Sequence, residues 1–439
     1  MEGIFLVAKI KNPSLAVVKA NDLEPVTHLL EGLFGALEKV GTEENEYVMK
    51  CVMRALTTLH DKCSPFAAVI LEKLTQKLML VAKNPSKPHF NHYLFESMCV
   101  LIKYTHAQVN VDQFENTLFP PFQEILQQDV NEFIPYVFQV LGVMLDLRTA
   151  GSTIPDSYMA LFPFLLMPVL YDRPANIPAL VKLLHAYIRI GSAQIIHGAH
   201  LNALLGVFQK LVASKSHDHQ GFYILNALFE FMEWKDLSSN VRGILMLLLN
   251  RLQTSRTVKF VRGLIVSLCL LAVRQTAPIL IDQLEAIQPG LYVMIVEKVI
   301  LRDLQKIVGN TEKKICCVGI AKLLAEAPDR LTPQSLWGQL LQALVALFEL
   351  PEADSSEDDQ FIDVEEHPGY STAYSQLAFA SKAETDPTGV KEPKAYLAKS
   401  LEKLSVAQPG LLPSLLPTLE PGAQQFIQAY VQAAGVTLG

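Results

Sequence analysis

The densest chemistry in this 439-residue sequence is acidic. Between Leu331 and Ser381 lie nine carboxylates and no Lys or Arg: Glu349, Glu352, Asp354, Glu357, Asp358, Asp359, Asp363, Glu365 and Glu366. The whole chain carries −7, so the rest of it is close to neutral. Such a run has two readings. It is a solvated insertion between two helices, or an anionic surface that attracts a basic partner and raises on-rate more than affinity. The apolar residues in Phe361-Ile362-Asp363-Val364 add weight to the second. Glu357, Asp358, Asp359, Asp363, Glu365 and Glu366 are therefore candidate partner contacts. Ser355 and Ser356, each with an Asp three residues on, would also suit an acid-directed kinase.

Basic residues gather elsewhere. Arg256, Lys259, Arg262 and Arg274 fall on one predicted helix, and Lys313 and Lys314 start the next. They read either as ordinary solvated helix faces or as a concave surface that meets an acidic protein partner. The aromatic set Phe222, Tyr223, Phe229, Phe231 and Trp234 reads as core, with Trp234 the best candidate for an interface anchor.

Other chemistries find no frame. The close pairs His89/His92, His197/His200 and His217/His219 lack a second ligand pair at zinc-like spacing, so no metal is expected. The six cysteines form no CxxC pair and read as reduced thiols of a cytosolic or nuclear protein. GxxxxGK[ST], GxGxxG and GxSxG are all missing, so neither a nucleotide cofactor nor a catalytic set is expected. The net acidity argues against nucleic acid as a partner.

The scaffold that would carry these residues is helical. Half the residues are hydrophobic and 18% are charged, which excludes wholesale disorder. The longest apolar stretches, Leu161 to Leu170 and Gly263 to Val273, are shorter than the ~18 to 20 residues a bilayer needs, so no membrane insertion is expected. The start, Met1 to Leu6, lacks the basic region of a signal peptide. Apolar residues recur at helical spacing, as in Phe133, Ile134, Val137, Phe138, Leu141, Met144 and Leu145.

Polar starts followed by an apolar helix occur near Asn45, Lys87, Asp129, Arg173, His217 and Ser255, at intervals of 38 to 44 residues. One further helix fits between each pair, such as Pro65 to Val81, Val109 to Gln127, Ile154 to Leu170 and Ala193 to Val212. Two helices per ~40 residues is the period of HEAT or armadillo repeats, whose hairpins must stack to cover their apolar faces. The expected fold is an all-α HEAT-repeat α-solenoid, a right-handed superhelix of antiparallel helix pairs. The expected organisation is an atypical segment over 1–20 and an array of about seven to eight helix pairs over 21–350. An acidic insertion over 351–367 and an irregular helical cap over 368–439 complete it, with helices near Pro368 to Ala380, Lys394 to Val406 and Gly422 to Ala434.

Several strings go beyond periodicity. They include Val81-Ala82-Lys83-Asn84-Pro85-Ser86-Lys87-Pro88-His89-Phe90-Asn91-His92-Tyr93 and Asn131-Glu132-Phe133-Ile134-Pro135-Tyr136-Val137-Phe138-Gln139-Val140. Ser157 to Pro163, Asp218 to Tyr223, Glu312 to Ile320 and Tyr374-Ser375-Gln376-Leu377-Ala378-Phe379-Ala380 belong with them. From about residue 20 onward the chain resembles the carboxy-terminal part of the CAS (cellular apoptosis susceptibility) export-receptor family of the importin-β superfamily.

The resemblance implies a HEAT-repeat export receptor, not an enzyme, that binds importin-α together with Ran-GTP and returns importin-α from nucleus to cytoplasm, shuttling between the two. In that family a further amino-terminal array supplies the main Ran-binding repeats. Contact with Ran through the half represented here is therefore expected to be partial. The alternative is a non-catalytic helical scaffold that binds protein partners without Ran-dependent transport.

Overall fold

The structure is a computed structural model, and it describes residues 23–350, 375–380 and 385–438. Among the described residues every regular element is helical, and no helix is long and apolar enough to cross a membrane. The chain divides into two compact units, the first reaching Gly191 and taking in 375–380, the second starting at Ser192. The sequence reads as a single array over 21–350, so this division falls within it.

Unit 1 contains α1 (Leu23–Leu37), α2 (Glu46–Leu59), α3 (Ala67–Val81), α4 (Pro88–Thr105), α5 (Val111–Gln127), α6 (Ile134–Asp146) and α7 (Asp156–Leu165). It also holds most of α8 (Asn176–His197), which is broken by non-helical backbone at Gly191 (φ −133°, ψ 43°). The starts follow local chemistry. Asn45 accepts the Val48 N–H at 3.1 Å, and Asn110 accepts the Asp112 N–H at 3.0 Å, so each satisfies an orphan donor of the first turn.

Alternate helices stack: α2 on α4 and α4 on α6 form one layer, α3 on α5 the other. A mid-stack helix has neighbours on both flanks and a partner behind it. α4 is buried on every side from Phe90 to Ile102, polar residues included. A helix buried all round needs no polar face, so something must also cover its fourth side.

Unit 2 contains α9 (Leu201–Ala213), α10 (Asp218–Phe231), α11 (Trp234–Thr254), α12 (Val258–Arg274) and α13 (Ala277–Glu285). A helix then runs from α14 (Leu291–Ile295) through a π turn, Val296–Ile300, into α15 (Leu301–Asp303). The unit closes with α16 (Asn310–Glu326), α17 (Ser335–Phe348), α18 (Pro393–Ala407), α19 (Leu411–Leu415) and α20 (Pro421–Ala434). One layer runs α10, α12, α16, α18, α20, each packed on the next, with α9, α11 and α13 stacked behind its first members. Thr257 caps α12 by accepting the Phe260 N–H at 3.2 Å.

Three sequence expectations change. The helix expected over Ala193 to Val212 starts only at Leu201, because α8 continues to His197. The helix begun by Lys313 and Lys314 is not the next after the one carrying Arg274, because α13, α14 and α15 lie between them. The helix expected over Pro368 to Ala380 is not helical in its described part: residues 375–377 lie outside any helix and Ala378–Ala380 forms a single 3₁₀ turn. The reason is tertiary. The backbone N–H groups of Leu377, Ala378 and Phe379 are taken by side chains of α6 and α4 instead of by helical carbonyls. The atypical segment 1–20 and the acidic insertion 351–367 lie outside the described residues.

Candidate partner-binding surfaces

The candidate basic residues of unit 2 divide when placed on the fold. Arg256 is not on the helix with the others: it precedes α12, donates to the Asp303 carboxylate at 2.5 Å and to the Lys298 carbonyl at 3.0 Å. Lys306 donates to the same carboxylate at 2.5 Å. Burial pushes the Asp303 carboxyl upward, but these two cations outweigh it and hold the group below its usual range. Arg256 is thus committed within the chain. Lys259 is exposed and Arg262 half-buried, both in the first turns of α12. Arg274 sits at the opposite end, about 22 Å along the helix axis from Lys259.

Helices α12 and α16 are neighbours that run the same way. A Cβ at Gly319 would lie 2.6 Å from the Cβ of Cys269. Lys322 donates to the Val273 and Gln275 carbonyls, both at 3.1 Å, and Glu326 accepts the Ala277 N–H at 2.8 Å. With the carboxy-terminal ends joined in this way, the starts of the two helices lie side by side. Lys259 and Arg262 therefore share one end of the layer with Lys313 and Lys314. Lys314 pairs with Asp386 at 2.7 Å. Burial and the Lys259 charge together hold His219, at the start of α10, below its ordinary pKa. The result is a short cationic strip along helix N-termini, where the helix dipole has the same sign.

A buried ion pair anchors this end. Asp218, fully buried at the start of α10, faces Arg251 of α11 at 3.7 Å. Arg251 also donates to the Val212 carbonyl at 3.2 Å and to the Ser255 carbonyl. Its guanidinium lies 5.0 Å from the Phe260 ring centre. One cation thus ties together the end of α9, the start of α10 and the approach to α12. Phe222 and Phe229 are core residues, Tyr223 is exposed, and Trp234 opens α11 half-buried. The acidic candidates Glu357, Asp358, Asp359, Asp363, Glu365 and Glu366 lie outside the described residues.

Sequence reasoning missed a second surface, in unit 1. Glu96 of α4 and Gln139 of α6 are buried polar residues facing residues 375–380. Gln139 donates its amide to the Ser375 carbonyl at 2.6 Å and accepts the Leu377 N–H at 2.9 Å. Glu96 accepts the Ala378 N–H at 2.5 Å with one oxygen and the Phe379 N–H at 3.2 Å with the other. Burial raises the Glu96 carboxyl to about 7, against the opposing pull of those two N–H groups and of Lys103. His92, one turn before Glu96, is 3.7 Å from its carboxylate and 3.3 Å from the Tyr136 hydroxyl. Tyr136 in turn stacks on Phe95 at 4.8 Å. The available signal was a lone Glu inside the otherwise apolar run Tyr93 to Ile102.

Comparison with known proteins places this architecture. The profile of the family described as CAS/CSE protein, C-terminus, matches residues 3–430. The chain belongs to the CAS/CSE family.

Exportin-2 of Danio rerio is 49% identical over 424 residues, and Exportin-2 of Homo sapiens 48% over 424. Each alignment covers 94% of this chain and 43% of the relative. Among solved structures, the exportin Cse1 in its cargo-free, cytoplasmic state superposes with a TM-score of 0.81 at 27% identity. It covers 93% of this chain and 43% of Cse1. The chain thus spans less than half the length of the curated CAS/CSE relatives it matches. The stacked helix pairs of both units are HEAT repeats of this family.

Proposed function

We propose that this chain is a nuclear export receptor module that binds importin-α in concert with Ran-GTP and shuttles between nucleus and cytoplasm. The observation that carries the reading is the match to the CAS/CSE family over 3–430, joined to the superposition on cargo-free Cse1. The receptor does not hydrolyse GTP or any other substrate: its work is binding. Stacked helix pairs support this, since such arrays present extended surfaces suited to binding another protein. Ran dependence then requires only a coupling free energy between two protein ligands, typically ~1 to 3 kcal/mol.

Contact with Ran through these repeats is partial, as the family resemblance implies. The cationic strip of Lys259, Arg262, Lys313 and Lys314 is the candidate contact for acidic partner surface, and the 351–367 run the candidate for basic surface. Immobilised chain is incubated with importin-α, with and without Ran-GTP. Capture of importin-α that rises with Ran-GTP supports the transport reading. Capture indifferent to Ran-GTP favours a scaffold that binds without transport, and no capture removes importin-α as the partner.

A further inference from the structure

We propose that the face of α4 and α6 covered by residues 375–380 is a recognition site for a short peptide that ends in a tight turn, occupied in cis by that segment. The proposal is independent of the transport reading and needs neither Ran nor importin-α.

The contacts are of the kind a peptide-binding site makes. Gln139 engages one residue's carbonyl and another's N–H, and Glu96 engages two consecutive N–H groups. All four bonds go to backbone, which any chain supplies, so they provide affinity with little sequence demand. Selectivity comes from alternation. Ser375 and Leu377 are buried while Gln376 and Ala378 are exposed, and the chain then tightens into the 3₁₀ turn Ala378–Ala380. Leu377 retains 1% of its surface. Phe379 lies 5.7 Å under the Lys103 ammonium and meets Tyr104 edge-on at 6.4 Å. The ligand class is therefore a short peptide with a Leu-x-aromatic pattern entering a tight turn and no acidic side chain beside Glu96.

The protein side looks built for an occupant. Two buried polar groups on neighbouring helices bond this segment, Glu96 through both oxygens and Gln139 alongside its bond to the Pro135 carbonyl at 3.0 Å, and stripping such groups of partners is unfavourable. Occupancy by the chain's own residues makes the site self-blocked. A tethered ligand acts at an effective concentration on the order of millimolar, so a free peptide competes poorly until the segment is released.

The test uses the full chain at pH 8 and a fluorescein-labelled Ser-Gln-Leu-Ala-Phe-Ala peptide. Hydrogen exchange first establishes the segment's state: the amides of Leu377, Ala378 and Phe379 are expected to be protected in the wild type and exposed in Leu377→Asp/Phe379→Ala. That released variant should bind the labelled peptide at least about tenfold more tightly than the wild type. Adding Glu96→Gln, which keeps size but offers one acceptor oxygen, should reverse the gain. A peptide with Asp in place of Leu should not bind.

Free exchange of the three amides in the wild type overturns the proposal. So does a released variant that ignores the peptide, or binds it equally well with Glu96→Gln. Should the released variant fail to fold, unlabelled peptide at millimolar concentration must speed exchange of the same amides in the wild type. No acceleration is equally fatal.

Discussion

Glu96 sits where a charge is hard to solvate, 2% exposed between two helices. Burial lifts its carboxyl from an ordinary 4.5 to about 7. A group that holds its proton more tightly folded than unfolded stabilises the fold at low pH. That contribution fades as pH rises from 4.5 towards 7, because the unfolded chain releases the proton first. Glu96→Gln does not titrate and supplies the baseline. The wild type's unfolding free energy relative to that variant should fall across this window and level off above it, as read by urea titrations at stepped pH. A difference that stays constant means that Glu96 is already ionised in the folded chain. The other buried acids do not follow one rule. Asp303 moves the opposite way because two cations reach it. Neither direction is legible in sequence, where Glu96 and Asp303 are simply acids on helices: what separates them is which distant residues fold over them.

The helices themselves were largely legible. Starts near Asn45, His217 and Ser255 agree with α2, α10 and α12, because polar caps and apolar stripes are local signals. The segment 375–380 was misread as helix because Leu377, Ala378 and Phe379 give their N–H groups to side chains more than two hundred positions away, which no window sees. Helix spacing within a layer was also hidden, although glycine carries it. At Gly319 an added Cβ would meet the Cys269 backbone at 2.8 Å, whereas at Gly142 the nearest atom, from Leu183, is 3.8 Å away. Gly319→Ala should therefore force α12 and α16 apart and cost about 1 to 3 kcal/mol. Gly142→Ala should be neutral or gain up to ~1 kcal/mol from helix propensity. Denaturant unfolding of the two variants measures both, and equal effects would mean that the α12–α16 approach is looser than described.

For the molecule as a whole, charge is the property most open to test. Nine acids are concentrated between Leu331 and Ser381 in a chain of net −7, and the reading of that run as an anionic docking surface predicts an effect on encounter. Replacing Glu357, Asp358, Asp359, Glu365 and Glu366 by their amides, in the full-length receptor, should slow association with importin-α and flatten its salt dependence. Dissociation should change little. Stopped-flow association rates over a range of salt decide the matter, and rates that are unaltered at every salt concentration remove the acidic run from the encounter. That run was evident from composition alone, whereas the peptide site on α4 and α6 was not.

The placement of residues 375–380 in unit 1 also has a consequence for how the chain is made. Gln139 leaves the ribosome 236 residues before Ser375. At ~5 to 20 residues per second that interval is about 12 to 47 seconds. Throughout it, α4 and α6 stand complete with their last polar groups facing open water. The amino-terminal unit therefore matures only after the second has been synthesised as far as α17, and nascent chains halted before residue 375 should be the ones that chaperones hold.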